Sequence, residues 1–102
     1  MFMKKFVFDI DGTICSEEKS QERIFAKPKQ KTINFINSLF DKGYLIILYS
    51  ARGWDQLRVT EEWLKLNKVK YNTLILGKPV YDYWIDDRCV NIKDIGDLIN
   101  EF

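Results

Sequence analysis

Four short, solidly apolar runs, each broken off by charged, hydroxyl or glycine residues, set the strongest limit on how this chain can fold. Residues 6–10 end at Asp11-Gly12, residues 44–49 at Ser50-Ala51-Arg52-Gly53, residues 73–76 at Gly77-Lys78-Pro79, and residues 83–85 at Asp86-Asp87. A strand with one wet face alternates apolar with polar side chains, whereas an unbroken apolar run suits a strand covered on both faces. Between the runs the period becomes helical. Pro28 can open a helix, Ile33, Ile36, Leu39 and Phe40 recur at helical spacing, and Gly43 supplies a stop. A second helix is predicted over about residues 55–66 with Val59, Trp63 and Leu66 on one face, and Ile92, Ile95, Leu98 and Ile99 mark a third. The stretch 15–27 is polar and reads as an exposed loop or small hairpin.

Strand alternating with helix predicts an α/β fold of the Rossmann-like type, a three-layer α/β/α sandwich around a short parallel sheet with right-handed crossovers. A chain of 102 residues fits one domain over residues 1–102, and 46% hydrophobic residues suffice for one core. A core of that size leaves oligomerisation open. The N-terminal stretch opened by Met1 and Phe2 has its apolar run, after Lys4 and Lys5, cut at Asp9, too early for an export signal or a membrane span, so the expectation is a cytoplasmic protein without a membrane partner.

Sixteen Lys and Arg against fifteen Asp and Glu leave a net charge of +1, and no basic-aromatic stripe is visible, which argues against a nucleic-acid partner. Histidine is absent. That removes the commonest general base, every His-activated serine or cysteine, and all His metal sites. Cys15 and Cys89 stand alone, without CxxC spacing, and read as reduced thiols.

The polar residues that could carry chemistry collect at one place in such a fold. Asp9 and Asp11, Ser50 and Arg52, Lys78, and Asp86 and Asp87 all fall at the C-terminal ends of the expected strands, the edge where ligands bind in open α/β sheets. Grouped carboxylates need a cation to neutralise them, and oxygen-only ligands favour Mg²⁺. Lys78 and Ser50 suit phosphoryl oxygens as a point charge and a hydrogen-bond donor. A divalent cation and a phosphate group follow from the residue types; the reaction does not.

The residues resemble the haloacid-dehalogenase superfamily. Asp9-Ile10-Asp11-Gly12-Thr13 matches its first motif, DxDGT, Ser50 the second, Lys78 in Gly77-Lys78-Pro79 the third, and Asp86-Asp87 the fourth, in order and each behind an apolar run. The resemblance implies a phosphatase in which Asp9 attacks phosphorus to form an aspartyl-phosphate and Asp11 serves as acid and then base. It implies Mg²⁺ held by Asp9, the Asp11 carbonyl, Asp86 and Asp87, with Ser50 and Lys78 on the transferring phosphoryl group. Gly12, Thr13, Ala51, Arg52 and Trp54 would bind substrate, Arg52 forking onto a second anionic group, with Arg58, Tyr81 and Tyr83 near the leaving group.

Members of the superfamily usually carry a cap domain between motifs. Here Asp11 and Ser50 lie 39 positions apart and Ser50 and Lys78 lie 28 apart, which one helix, its strand and a loop consume. The chain thus looks like a capless member, and the resemblance implies an open site that a neighbouring subunit of a homo-oligomer can complete. The pattern Ala26-Lys27-Pro28, Ser50-Ala51-Arg52, Glu62-Trp63-Leu64, Gly77-Lys78-Pro79 and Ile85-Asp86-Asp87 is similar to small phosphatases of capsule and lipopolysaccharide biosynthesis, which implies a sugar phosphate or similar small metabolite.

Plainer readings compete. A calcium loop starting at Asp9 would need Glu at position 20, which is Ser20. Arg52 can pair with Glu61 or Glu62 on a surface, Asp86-Asp87 can be a turn, and Trp63 belongs to a core face. A non-catalytic module binding phosphate and metal, and a phosphatase acting on nucleotide or nucleic-acid ends, remain as alternative functions.

Overall fold

Apolar periodicity and one well-placed glycine decide where the first helix begins, which face it buries and where it ends. The computed structural model describes residues 3–102; Met1 and Phe2, which open the N-terminal stretch, lie outside the described residues. Helix α1, Gln30–Asp41, starts two residues after Pro28 and buries Thr32, Ile33, Phe35, Ile36 and Leu39 as one stripe. Gly43 ends it with φ +89°, a left-handed conformation that lets its N–H reach the Phe40 carbonyl while Tyr44 N–H takes that of Leu39.

The chain then enters a parallel sheet of three strands, β1 (Lys5–Phe8), β2 (Leu45–Tyr49) and β3 (Thr73–Ile75), in spatial order β1-β2-β3. Phe6 pairs with Ile46 and Leu48 with Leu74, so β2 is the central strand. Helix α2, Leu57–Leu66, crosses from β2 to β3 behind a short 3₁₀ turn, Trp54–Gln56. Two right-handed crossovers advancing in one direction place both helices on the same face of the sheet. The core agrees: Phe8, Ile46 and Leu48 join Ile33, Phe35, Ile36 and Leu39 of α1 and Trp63 and Leu64 of α2 in a single cluster. Trp63 is buried as expected, and its indole N–H donates to the Ala26 carbonyl at 2.8 Å. Leu66, expected on that face, is exposed; the buried stripe of α2 runs through Thr60, Trp63 and Leu64 instead.

The parallel α/β sheet is the one expected, but its edge differs. Helix α3, Ile95–Asn100, also packs on the α1 side, since Phe102 just beyond it sets its ring against Phe6, Phe35 and Tyr44 at 5.3–6.4 Å. On the opposite face Lys5 and Val7 are exposed and Leu45 and Ile47 half-buried. Residues 83–85 do not form a fourth strand: Tyr83 is 85% and Ile85 96% exposed. Three residues between acidic neighbours offer little ladder, and Trp84 packs on Tyr81 instead, ring centroids 5.1 Å apart. The stretch 15–27 is ordered by a 3₁₀ helix, Ser20–Phe25, and tied to the core through Cys15, whose thiol is buried. Among the described residues no helix is long and apolar enough to cross a membrane.

Candidate active site

The turn after β1 is wound around one carbonyl. The N–H groups of Thr13, Ile14 and Cys15 all point at the Ile10 oxygen, at 3.1, 2.8 and 3.3 Å. Gly12 stands at φ +81°, so its N–H can reach the Cys15 carbonyl, and its own carbonyl accepts from Lys29 Nζ at 2.8 Å. This turn holds Asp9 and Asp11 at the strand end. Asp9 Oδ1 accepts from Ile10 N–H at 2.8 Å, and its side chain remains 39% exposed. A carboxylate fixed by one oxygen and open at the other has the form a nucleophile needs.

The ends of β2 and β3 are laced together beside it. Ser50 is fully buried; its N–H donates to the Ile75 carbonyl and its own carbonyl accepts from Lys78 N–H, both at 2.9 Å. Its hydroxyl oxygen accepts from Arg52 N–H at 3.1 Å. Gly77 N–H donates to the Arg52 carbonyl at 2.9 Å. The lacing delivers Lys78 to Asp9: its Nζ lies 3.6 Å from Asp9 Oδ2, over the rings of Tyr81, Trp84 and Tyr49 at 5.1, 5.4 and 5.9 Å from their centroids.

Arg52 departs from its expected part. Its side chain is 1% exposed and turned inward, Nε on Asp11 Oδ2 at 3.0 Å and Nη2 on Asp11 Oδ1 at 2.8 Å, a bidentate fork. Nη1 donates to Thr60 Oγ1 at 2.9 Å. It therefore grips Asp11, neither an anionic group of a ligand nor Glu61 or Glu62. Sequence reasoning missed Thr60, and with it the buried acceptor that holds the guanidinium in place; nothing in the spacing marks a threonine eight residues on as its partner.

Asp9, Asp11, Ser50, Arg52 and Lys78 are thus brought together, with Gly12 and Thr13 in the turn and Ala51 exposed beside Ser50. Two carboxylates face two cations, so the group is close to neutral. Asp86 and Asp87 are not brought in. Both are exposed, Asp86 accepting from Arg88 N–H at 3.0 Å and Asp87 3.9 Å from the Arg88 side chain. The backbone N–H of Arg88 holds the Asp86 carboxyl below the ordinary aspartate range. Among the described residues no three acidic or cysteine side chains gather closely enough to hold a metal ion. Tyr81 stands beside Lys78; Arg58 is exposed on α2.

Cys15 lies under this group, its Sγ 3.9 Å from Asp11 Oδ1 and from Arg52 Nη2. Burial first, and the Asp11 charge second, push its thiol up to about 11. Exposed Cys89 should be the one thiol that an aromatic disulfide reagent titrates at pH 8 in the folded protein, with a second appearing in denaturant; two fast thiols without denaturant would contradict the burial. Since the thiol ionises at 9.0 when free and near 11 when folded, its contribution to stability is whole below pH 9 and disappears as the pH rises towards 11.

The model of the family described as PITM 1-3, LNS2 domain, matches residues 6–97. A Mycoplasma genitalium protein named as a candidate phosphatase is 28% identical over 99 residues; the match takes in 97% of this chain, which spans about a third (32%) of that relative's length. A crystal structure of a structural-genomics target from Vibrio cholerae superposes with a TM-score of 0.77 at 26% identity, covering 97% of this chain and 98% of that one. A chain in a Pnkp1/Rnl/Hen1 RNA repair complex shares the fold, with a TM-score of 0.65 at 23% identity over 97% of this chain and 32% of that one.

Proposed function

The chain belongs to the LNS2 domain family, a haloacid-dehalogenase-like phosphatase fold, and from that premise we propose that it hydrolyses a phosphomonoester through an aspartyl-phosphate on Asp9. The observation that carries the reading is the Asp9–Lys78 juxtaposition at 3.6 Å on a strand end where the nucleophile's side chain is open to solvent. Asp9 attacks phosphorus in line and the ester oxygen leaves, so one P–O bond forms as another breaks. Lys78 lies where it neutralises charge on the equatorial oxygens, and the Ser50 hydroxyl, whose oxygen is anchored by Arg52 N–H, supplies a donor beside it.

Asp11 completes the cycle. With both oxygens in the Arg52 fork it is set to take a proton from the water that hydrolyses the intermediate, and to protonate a leaving oxygen it must first trade one of those bonds for a proton. The oxygen-only donor set fits a hard divalent cation: the open Asp9 carboxylate and the Asp11 carbonyl would hold it, with water and substrate oxygens filling the rest. Bound Mg²⁺ would supply charge neutralisation at the phosphoryl group. Asp86 and Asp87 stand apart from that pair in this structure. The substrate is a small phosphorylated metabolite, a sugar phosphate in its simplest form, in keeping with an uncapped site.

The test is phosphate release by the purified protein from p-nitrophenyl phosphate and a panel of phosphorylated metabolites. Turnover is expected to rise with added Mg²⁺ and to disappear with a chelator. Phosphate and Mg²⁺ binding without any turnover would turn the reading to a non-catalytic binding module.

A further inference from the structure

We infer that Trp54 and Tyr81, exposed beside the phosphoryl site, are a stacking platform for a nucleobase on the leaving group, so that the sugar phosphate this site takes is a mononucleotide; the inference rests on the phosphatase reading of Asp9 and Lys78. Large aromatic side chains exposed together beside a polar site form the kind of contiguous patch that marks a ligand surface. Trp54 is 57%, Tyr81 46% and Trp84 43% exposed. All three border the 77–78 loop: Tyr81 and Trp84 carry Lys78 Nζ over their rings at 5.1 and 5.4 Å, and Trp54 lies against Gly77.

The seat of Trp54 is built rather than incidental. Gly77 occupies a left-handed conformation at φ +77°, and a Cβ there would come within 3.1 Å of the indole Nε1. The chain thus uses glycine where it leaves room for the indole at the edge of the site. One side of the Tyr81 and Trp84 pair is committed to the Lys78 ammonium, which fixes the rings. Their remaining exposed surface and the Trp54 ring offer flat π surface beside Gly77 and Lys78.

The occupant follows from that chemistry. A bare sugar presents hydroxyls, which need a fan of hydrogen-bond partners; the patch offers ring faces and single donors. A base presents a π face, and stacking on aromatic side chains tolerates any base. A mononucleotide is favoured over the end of a nucleic acid because the chain's net charge is only +1, too little for a phosphate-tracking groove.

Calorimetric titration of the Asp9→Asn variant, which reads binding without turnover, separates the cases. Nucleoside monophosphate should bind about tenfold or more tightly than ribose 5-phosphate, a difference of about 1.4 kcal/mol, within the range of base stacking. Adding Trp54→Ala, which leaves the rings around Lys78 in place, should bring the nucleotide down towards ribose 5-phosphate and leave the latter's affinity in place. Equal affinities, or a preference that Trp54→Ala does not move, would overturn the platform while the phosphatase reading stands. A phosphorylated oligonucleotide binding tenfold more tightly than the mononucleotide would overturn the choice of occupant. Failure of every phosphate to bind, with no phosphate release by the unsubstituted protein, would instead strike at the reading of Asp9 and Lys78.

Discussion

Asp9→Asn should reduce phosphate release by on the order of 10⁴-fold or more while leaving the fold in place. The asparagine keeps the oxygen that accepts from Ile10 N–H and loses the carboxylate oxygen that faces Lys78 at 3.6 Å, the one proposed to attack phosphorus. Little stability rides on that ion pair, because the Asp9 side chain is 39% exposed and Lys78 is held by three rings besides; a change within about 1 kcal/mol is expected. Catalysis and stability should therefore separate cleanly, seen as unchanged thermal unfolding beside lost turnover. Residual activity above about a hundredth of the original would place the nucleophile elsewhere, since an acid-base or binding residue contributes about 10²–10⁴-fold.

Most of the site could be read from the sequence because it is built by backbone topology. A parallel sheet brings every strand end to one edge, so residues that follow apolar runs must meet, and Asp9, Asp11, Ser50 and Lys78 do. What could not be read depends on side-chain choices between comparable partners. Arg52 had three: a ligand, a surface glutamate, or Asp11. Burial of Thr60 on the inner face of α2 settled it by offering an acceptor only from inside the fold. The run 83–85 has the composition of a strand, but strand preference is mostly a preference for a surface to pack on, and Trp84 finds that surface on Tyr81 and Lys78. Three strands in simple sequential order, with both crossovers of one hand, put α1 and α2 on one side.

Arg52→Leu should be the most destabilising of the site substitutions, and the reason lies in what it leaves behind. The guanidinium satisfies both Asp11 oxygens and Thr60, and its removal strands a carboxylate that is only 23% exposed. Breaking a buried pair from one side costs about 3–5 kcal/mol, and the partial access of water to Asp11 brings the expectation to about 2–4 kcal/mol. For a domain of this size that is a fall in Tm of roughly 10–25 °C. Arg52→Lys should fall between, since one ammonium cannot fork onto two oxygens and reach Thr60 as well. Removing both partners, Arg52→Leu with Asp11→Leu, should recover much of the loss, because no buried charge is then left unpaired. The activity cost has a separate origin: an Asp11 free to rotate no longer presents its carboxylate to the attacking water, and a misplaced catalytic group loses about 10²-fold in kcat. Arg52→Lys should therefore retain more stability than activity. A shift in Tm of less than about 3 °C in Arg52→Leu, with kcat intact, would mean that Asp11 is held by something other than Arg52.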